Sequence, residues 1–445
     1  MTEAEIADLP EITIDDLDHD GRGVGRVDDK VVFVDGALPG ERVRFQYTKG
    51  GRQYDQGKLA EVLVPSPDRV EPACPVFGLC GGCSLQHLAP AAQVQAKEHH
   101  LRDNMQRTAG LAPEQWLAPI DGPHWGYRAK ARLSVRQVRN KGQLVGFRER
   151  ASSYVTVMDA CPVLDPRLDA LIQPLKELVA GLSRPDRVPQ AEVAASEGDA
   201  CVVIRHLTEL TDADRQRLAD FQAEQGIVVE TQSKGPETAG PLDPARPADL
   251  FYQLPEFDLT LRFRSTDFVQ VNQEVNRQLV SRAMALLGPA EGDEVLDLFC
   301  GLGNFSLAAA ARGAQVYGLE GEQALVERAA ANAHDNGLSG QTAFTAADLT
   351  ETPLTEIARA RSADKVLLDP PRPGAVEACK QLVELGPERI VYISCNPATL
   401  ARDAAVLANG GYRLASAGIA NMFPHTAHVE SVACFERGET GKPHG

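Results

Sequence analysis

The feature that most constrains the fold is a regular alternation of apolar runs and helical patterns after Leu259. Each run is short enough to be a buried strand, and a helical pattern separates it from the next one. Such an alternation predicts a doubly wound α/β domain, because parallel strands need crossover helices. The predicted strands are Glu294–Phe299, Gln315–Glu320, Gln341–Thr345, Lys365–Asp369, Arg389–Ser394, Tyr412–Ala417 and His428–Arg437.

One cysteine stands where a predicted strand meets a predicted helix. Residues 388–403 read ERIVYISCNPATLARD, in which Ile390–Ile393 is an apolar strand. Asn396 suits the N-cap and Pro397 suits the first helical position. Cys395 therefore precedes a helix N-terminus, whose partial positive charge can lower the pKa of a thiol. We interpret Cys395 as a nucleophile; the alternative is a buried structural cysteine.

A glycine-rich loop follows the first strand of the predicted sheet. Residues 297–304 read DLFCGLGN, and Ser306 occupies the place of the third glycine of a dinucleotide fingerprint. The pattern thus favours S-adenosylmethionine (SAM) over NAD. Glu320 ends the second strand and suits ribose hydroxyls, whereas Asp348 follows the third strand and suits an adenine amino group. Asp369 begins the segment DPPR at the end of the fourth strand. In SAM enzymes an acid followed by two prolines lies between the cofactor and the target base; the alternative is a rigid turn.

The N-terminal region predicts a small β-barrel. Residues 12–64 contain short runs of alternating apolar residues, such as Val31 and Phe33, separated by glycine turns. Small closed barrels of this kind bind nucleic acid or protein. The segment GRGVGR and the turn GALPGE resemble the TRAM domain, an RNA-binding barrel.

Four cysteines outside the α/β domain predict a metal centre. Cys74, Cys80 and Cys83 have the spacing C-x5-C-x2-C, and Cys161 repeats the Cys-Pro-Val context of Cys74. Four thiolates can hold a 4Fe-4S cluster or a zinc ion. The spacing matches neither paired CxxC zinc ribbons nor the C-x3-C-x2-C of radical-SAM enzymes. We predict a 4Fe-4S cluster, with zinc and unliganded cysteines as alternatives.

The charge distribution bears on the partner. The net charge of −17 argues against a general nucleic-acid coat, and residues 1–20 contain eight acids. Residues 127–150, in contrast, contain eight Lys or Arg and one Glu. This basic ribbon can bind RNA locally; the alternative is a solvated charged β-ribbon. No run approaches a membrane span or a signal peptide, so we expect a cytoplasmic protein with thiols rather than disulfides.

The motifs together resemble the RNA uracil-5-methyltransferase family over nearly the whole chain, and most closely its 23S rRNA-modifying members. The matching segments are FVQVN at 268–272, DLFCGLGNF at 297–305, DPPR at 369–372, SCNP at 394–397 and FPHTAHVESV at 423–432. The resemblance implies a class I SAM-methyltransferase fold, with Cys395 as nucleophile and Glu430 as general base. It implies SAM contacts at Gln270, Phe299, Asn304, Glu320, Asp348 and Asp369. The implied cluster ligands are Cys74, Cys80, Cys83 and Cys161.

The expected organisation has three domains and one chain per molecule. We predict a TRAM-like or OB-like barrel at 1–65, a central α+β domain with the iron-sulfur site and the basic ribbon at 66–258, and a Rossmann-like methyltransferase domain at 259–445. The implied reaction is methylation of carbon 5 of one uridine in 23S rRNA through a covalent adduct at carbon 6. The alternatives are tRNA or another rRNA uridine, RNA cytosine-5 methylation, a radical-SAM methylthiotransferase, and a non-catalytic RNA-binding assembly factor.

Overall fold

The computed structural model describes residues 2–349 and 351–438, which form two compact units. The first unit contains residues up to 100 together with 147–158 and 423–428. The second unit contains 101–146, 159–422 and the segment that starts at 429. Both units draw on more than one of the three predicted domains, and that division stays a prediction.

The first unit contains the predicted barrel. Five strands close in the order β1-β2-β3-β5-β4, and β3 and β5 pair in parallel. Alternate residues point inward, and the interior is filled by apolar side chains that include Ile14, Val32 and Phe45. The elements are α1 (Glu3–Ala7), β1 (Glu11–Leu17), β2 (Gly23–Val27), β3 (Lys30–Asp35), β4 (Arg42–Lys49), β5 (Tyr54–Val64) and α2 (Pro90–Asn104), of which α2 ends in the second unit.

The second unit begins with a six-stranded sheet in the order β12-β11-β10-β9-β7-β8. Helix α4 packs on β8 and α5 packs on β11. A π-helix at Met105–Ala109 precedes β6, and 3-10 turns lie at Pro185–Arg187, Pro236–Thr238 and Pro255–Phe257. The elements are β6 (Gln115–Trp116), β7 (Lys130–Val138), β8 (Gly142–Gly146), α3 (Pro166–Asp169), α4 (Ile172–Ala180), β9 (Gln190–Ala195), β10 (Ala200–Arg205), α5 (Asp212–Gln225), β11 (Val228–Gln232), β12 (Gly240–Pro241), β13 (Phe251–Leu254) and β14 (Leu259–Arg262).

An eight-stranded sheet occupies the rest of this unit, in the order β17-β16-β15-β18-β19-β21-β20-β6. A 3-10 turn lies at Leu354–Glu356. The elements are α6 (Gln273–Leu287), β15 (Glu294–Leu298), α7 (Ser306–Ala311), β16 (Gln315–Glu320), α8 (Gln323–Asp335), β17 (Thr342–Ala346), α9 (Ala358–Arg361), β18 (Lys365–Leu368), α10 (Val376–Leu385), β19 (Arg389–Ser394), α11 (Pro397–Asn409), β20 (Tyr412–Ala420) and β21 (Glu430–Arg437).

All seven predicted strands are present within a few residues of their expected bounds, with two corrections. β21 runs antiparallel between β19 and β20, so the sheet is not wholly parallel. The two-residue strand β6 adds an eighth member beside β20. A two-residue strand leaves no periodic pattern in a sequence. The order of the last strands depends on how the hairpin of β20 and β21 joins the sheet beside β19, which periodicity does not report. No helix among the described residues is long and apolar enough to cross a membrane.

Candidate active site

Three of the predicted site residues meet at one edge of the eight-stranded sheet. Asp369 follows β18 and Cys395 follows its parallel neighbour β19. Because β21 runs in the opposite direction, its first residue, Glu430, lies at the same edge. The register pairs Ser394 with Ser431, which places Cys395 beside Glu430. The fold thus brings the predicted nucleophile, the predicted base and a predicted SAM contact together.

The turn that carries Cys395 is built as the sequence indicated. Asn396 caps α11, since its Oδ1 accepts a hydrogen bond from the Ala398 amide at 3.1 Å, and Pro397 is the first helical residue. The Ser394 Oγ accepts from the Asn396 amide at 3.1 Å. These bonds fix the strand-to-helix turn, and the Cys395 side chain is half-buried within it.

The predicted low pKa of Cys395 is wrong for the protein alone. Burial, followed by the negative charges of Glu430 and Asp369, raises the pKa of the thiol to about 11, while Arg372 acts in the opposite direction. The helix N-terminus is present, but its partial charge is outweighed by desolvation and two carboxyl groups. The thiol therefore needs a change in its surroundings before it becomes a thiolate at neutral pH.

The two carboxyl groups beside the thiol also hold protons unusually well. Glu430 is only 3% exposed. Burial raises the pKa of Glu430 well above its ordinary value, and the charge of Asp369 raises it further. Burial raises the pKa of Asp369 to about 7. A carboxylate with a raised pKa is a stronger base than an exposed one, which suits a proton acceptor.

The glycine loop after β15 has the backbone of a ligand-binding turn. Phe299 has φ +64°, a conformation that bulky residues rarely adopt. Gly303 has φ +96°, and a Cβ there would lie 3.2 Å from Leu307 Cγ. Three loop amides donate hydrogen bonds within the protein: Cys300 to the Leu319 carbonyl, Gly303 to the Cys300 carbonyl and Gly301 to Glu320. A strained residue at this position is consistent with a functional loop.

Glu320 closes the loop from the neighbouring strand. Its Oε2 accepts a hydrogen bond from the Gly301 amide at 3.0 Å, and its Oε1 accepts from the Glu322 amide at 3.1 Å. Asp348 follows β17 and is exposed, and Gln270 is half-buried before α6. Glu320 and Asp348 thus end adjacent strands of the sheet, as the sequence predicted.

Asn304 has two partners that sequence reasoning missed. Its Oδ1 accepts from the Tyr252 hydroxyl at 2.8 Å and from Asn276 Nδ2 at 3.1 Å. Tyr252 comes from β13 and the buried Asn276 comes from α6. The signal in the sequence for the contact between Asn276 and Asn304 is an asparagine among the apolar residues of the α6 pattern.

Asp297, inside β15, adds a further buried acid. Its Oδ2 accepts a hydrogen bond from Ser306 at 2.5 Å, whereas its Oδ1 accepts none from the described residues. Burial, together with the charges of Asp369 and Glu320, raises the pKa of Asp297 to about 7. Several acids beside a glycine loop give this edge of the sheet a negative electrostatic potential when they are ionised. A positively charged ligand such as SAM, which carries a sulfonium and an ammonium group, fits this environment.

The cysteines of the predicted metal centre lie in both units. In the first unit, Cys74 and Cys80 are buried, and the Cys80 Sγ accepts a hydrogen bond from the Gly82 amide at 3.4 Å. Cys161 is buried in the second unit. The four-cysteine ligand set stays a prediction. Among residues 2–349 and 351–438, the single set of three metal-binding side chains within 4.8 Å is Asp18, His19 and Asp20, whose acids already bind Arg22.

The basic ribbon is less uniform than its sequence indicated. Lys130 Nζ donates to the Asp267 carbonyl, and Arg132 pairs with Glu192 at 3.1 Å. At the hairpin between β7 and β8, three exposed cations have no ion-pair partner among the described residues: Arg136, Arg139 and Lys141. Among the ribbon residues of the second unit, the exposed positive charge without an ion-pair partner therefore lies at the hairpin.

Comparison with known proteins decides the family. Residues 89–438 match the model of the tRNA (uracil-5-)-methyltransferase family, and residues 10–60 match the TRAM domain. The chain belongs to the tRNA (uracil-5-)-methyltransferase family. The predicted TRAM-like barrel and the predicted family are both confirmed.

Relatives within the uracil-5-methyltransferases are similar over almost their whole length. The 23S rRNA (uracil(1939)-C(5))-methyltransferase RlmD of Acidithiobacillus ferrooxidans is 51% identical, with 96% of this chain and 97% of the relative covered. RlmD of Aromatoleum aromaticum is 50% identical, with 96% and 100% covered. The crystal structure of Pyrococcus abyssi tRNA (uracil-54, C5)-methyltransferase with S-adenosyl-L-homocysteine is 25% identical, has a TM-score of 0.75, and covers 96% of this chain and 100% of its own.

Proposed function

We propose that this uracil-5-methyltransferase transfers a methyl group from SAM to carbon 5 of one uridine in 23S rRNA. Cys395 is the nucleophile and Glu430 is the general base. The observation that carries the proposal is the register that places Cys395 beside Glu430, with Asp369 following the neighbouring strand. The choice of 23S rRNA is supported by relatives named RlmD at 50–51% identity.

The chemistry begins with activation of the uracil ring. Carbon 5 is a poor nucleophile, so the Cys395 thiolate adds to carbon 6, and the electrons of the double bond move to form an enolate. Carbon 5 of this enolate can then attack the electrophilic methyl group on the positively charged sulfur of SAM, and the sulfur–methyl bond breaks to leave the neutral thioether S-adenosyl-L-homocysteine. Covalent catalysis thereby divides one difficult step into two easier ones.

The second half of the reaction needs a base. After methyl transfer, carbon 5 carries both the new methyl group and its original hydrogen. Glu430 removes that proton, the carbon 5–carbon 6 double bond forms again, and the Cys395 sulfur leaves as thiolate. The raised pKa of Glu430 favours this proton transfer because the carboxylate binds a proton strongly in its buried position.

The cofactor contacts remain those implied by the motifs. Gln270 and Asp348 lie before α6 and after β17, and Phe299 belongs to the glycine loop. Glu320 and Asp369 end β16 and β18. Asn304 completes the set. This set is supported by the strand order, in which β16 and β18 flank β15 on either side, so the glycine loop after β15 follows the strand between those that carry Glu320 and precede Asp369.

We also propose a 4Fe-4S cluster on Cys74, Cys80, Cys83 and Cys161. Four thiolates are the usual ligand set of such a cluster. The spacing C-x5-C-x2-C of Cys74, Cys80 and Cys83 does not match the paired CxxC of zinc ribbons. Iron and sulfide in anaerobically purified protein support the cluster, whereas zinc without iron refutes it.

The RNA contacts include the barrel and the β7–β8 hairpin. Arg136, Arg139 and Lys141 present positive charge that phosphates can neutralise.

The nine cysteines form no disulfide among themselves, which suits a reducing cytoplasm. One chain supplies all of the proposed donors, so a monomer suffices. The three functional regions at 1–65, 66–258 and 259–445 belong to the same proposal.

A tRNA uridine is the second candidate substrate, because the Pyrococcus abyssi structure is that of a tRNA enzyme. The deciding experiment maps 5-methyluridine in 23S rRNA and tRNA from cells that lack the protein, with and without the wild-type chain restored. Loss and recovery in 23S rRNA alone support the proposal, and the same result in tRNA favours the alternative.

Restoring the Cys395→Ala chain should give no methylation and no adduct with 5-fluorouridine RNA. Methylation by that variant would remove Cys395 as the nucleophile.

A further inference from the structure

A buried carboxylate on α11 has no part in the chemistry described above. Asp403 lies two turns after Cys395 and is 0% exposed. Its Oδ2 accepts hydrogen bonds from the Tyr392 hydroxyl and the Ala375 amide, both at 2.7 Å. Its Oδ1 binds the Arg402 guanidinium, with Nη2 at 2.7 Å. A fully satisfied buried carboxylate of this kind holds its surroundings in one arrangement.

The groups that Asp403 binds belong to the segment that follows Asp369. Arg402 Nη2 also donates to the Pro373 carbonyl at 2.8 Å. Nearer the start of α11, Asn396 Nδ2 and Thr399 Oγ1 both donate to the Arg372 carbonyl, each at 3.3 Å. Residues 372–375 are therefore fastened at three successive points to the first two turns of α11.

Gly374 shows how closely the segment and α11 approach each other. Its φ is +79°, and a Cβ there would lie 2.6 Å from Asp403 Oδ2 and 2.7 Å from Arg402 Nη2. Any side chain at this position would displace the carboxylate or the guanidinium. Two independent features, the hydrogen bonds and the glycine, thus serve the same contact.

We infer that Asp403 is a positioning residue for methyl transfer, because its carboxylate fastens the segment after Asp369 to the helix that begins beside Cys395. β18 and β19 are neighbours, but their strand ends leave both side chains on turns that could move independently. The network joins those turns, and Asn396 and Thr399 bind the backbone carbonyl of Arg372, whose positive charge acts on the thiol. The inference rests on the proposed role of Cys395.

Misplacement of reacting groups by about 1 Å can cost about 100-fold in rate, even when binding survives. Loss of the network should therefore lower kcat and leave the KM for SAM nearly unchanged. It should also move the pH at which the Cys395 thiol reacts, because displacement of the segment would change how the charges of Arg372 and Asp369 act on the thiol. A residue that only stabilises the fold would change neither quantity.

The test compares Tyr392→Phe with Tyr412→Phe. Both hydroxyls are buried on this sheet and donate at 2.7 Å, but Tyr412 donates to the Pro387 carbonyl, outside the network. We expect Tyr392→Phe to lower kcat by about 10-fold, toward the 100-fold that a misplacement of about 1 Å can cost. Tyr412→Phe should retain the wild-type kcat. Asp403→Asn and Gly374→Ala should act like Tyr392→Phe.

Each variant is measured for thermal unfolding, kcat and KM on uridine RNA, and the pH dependence of iodoacetamide reaction at the Cys395 peptide. If Asp403→Asn does not fold, Gly374→Ala decides the matter, because the added Cβ would disturb the contact between the segment and Asp403 directly. A folded Asp403→Asn or Gly374→Ala enzyme with wild-type kcat and thiol reactivity would overturn the inference. Cys395→Ala, assayed in parallel, tests the nucleophile separately: activity in that variant would refute the proposed mechanism, whatever Tyr392→Phe does.

Discussion

Replacing Glu430 by glutamine should change the two halves of the reaction in opposite directions. The carboxyl group is the second largest cause, after burial, of a thiol pKa of about 11 at Cys395, where an unperturbed thiol has 9.0. Asp369 is the third. Glutamine keeps the shape of the side chain but removes its charge and its ability to accept the proton from carbon 5.

The direction follows from that ranking. A negative charge at Glu430 repels the thiolate, so removing it should lower the thiol pKa and raise the thiolate fraction at a given alkaline pH. Each unit by which the pKa falls corresponds to about 1.4 kcal/mol, or about tenfold more thiolate. Addition to carbon 6 should therefore be no slower than in the wild type. Proton removal should fail, so the covalent RNA complex accumulates.

The assay for the first half is iodoacetamide alkylation of the Cys395 peptide, followed by mass spectrometry across the alkaline range. The assay for the second half is denaturing electrophoresis of the protein–RNA complex. Glu436→Gln is the matched control, because Glu436 lies on the same strand β21 but affects Cys434 instead of Cys395. An unchanged thiol pKa in Glu430→Gln would refute the placement beside the thiol. Normal turnover without an accumulated complex would remove Glu430 as the base.

Three further predictions concern the rest of the molecule. Because the folded-state pKa of Asp297 is about 7 and its ordinary value is 3.8, its protonated form stabilises the fold at low pH, and this stability is lost as pH rises from about 4 through about 7. Relative to wild type, Asp297→Asn should gain stability over that window, by on the order of 4 kcal/mol at most. The measurement is urea unfolding at pH 5 and pH 8 without SAM. A stability difference between variant and wild type that does not change with pH would contradict this prediction. Arg136→Glu should weaken RNA binding and reduce the salt slope by about 1, whereas the exposed Arg215→Glu on α5 should not; equal effects would exclude the hairpin as the contact. Cys80→Ser should lower the iron and sulfide content of anaerobically purified protein, and full iron content would exclude Cys80 as a ligand.

Local physical rules explain which structural predictions succeeded. The strand before Cys395, the cap at Asn396 and the proline at the first helical position depend on neighbouring residues, and all three are present. The alternating residues of the barrel likewise predicted which side chains fill its interior. The resemblance of short motifs such as DPPR and SCNP also predicted the correct family, because each motif is a continuous segment that can be identified in the sequence alone.

Other features depended on contacts between distant residues. Tyr252 and Asn276 reach Asn304 from β13 and α6, and no local pattern connects those three positions. The network at Asp403 likewise joins α11 to the segment after Asp369. Neither the contacts of Asn304 nor the network at Asp403 could be derived from hydrophobic periodicity, because periodicity indicates only whether a residue faces the core.

The sequence alone determined where Cys395 lies, at the junction of a strand and a capped helix. Only the tertiary structure decided its protonation. β21 enters the sheet antiparallel beside β19, which brings Glu430 to the thiol and buries both groups. A cap acts through bonds within one turn, whereas a pKa depends on desolvation and on charges that arrive from other strands. That is why the helix N-terminus indicated a low thiol pKa that the whole site reverses, while the role of Cys395 as nucleophile stays a prediction.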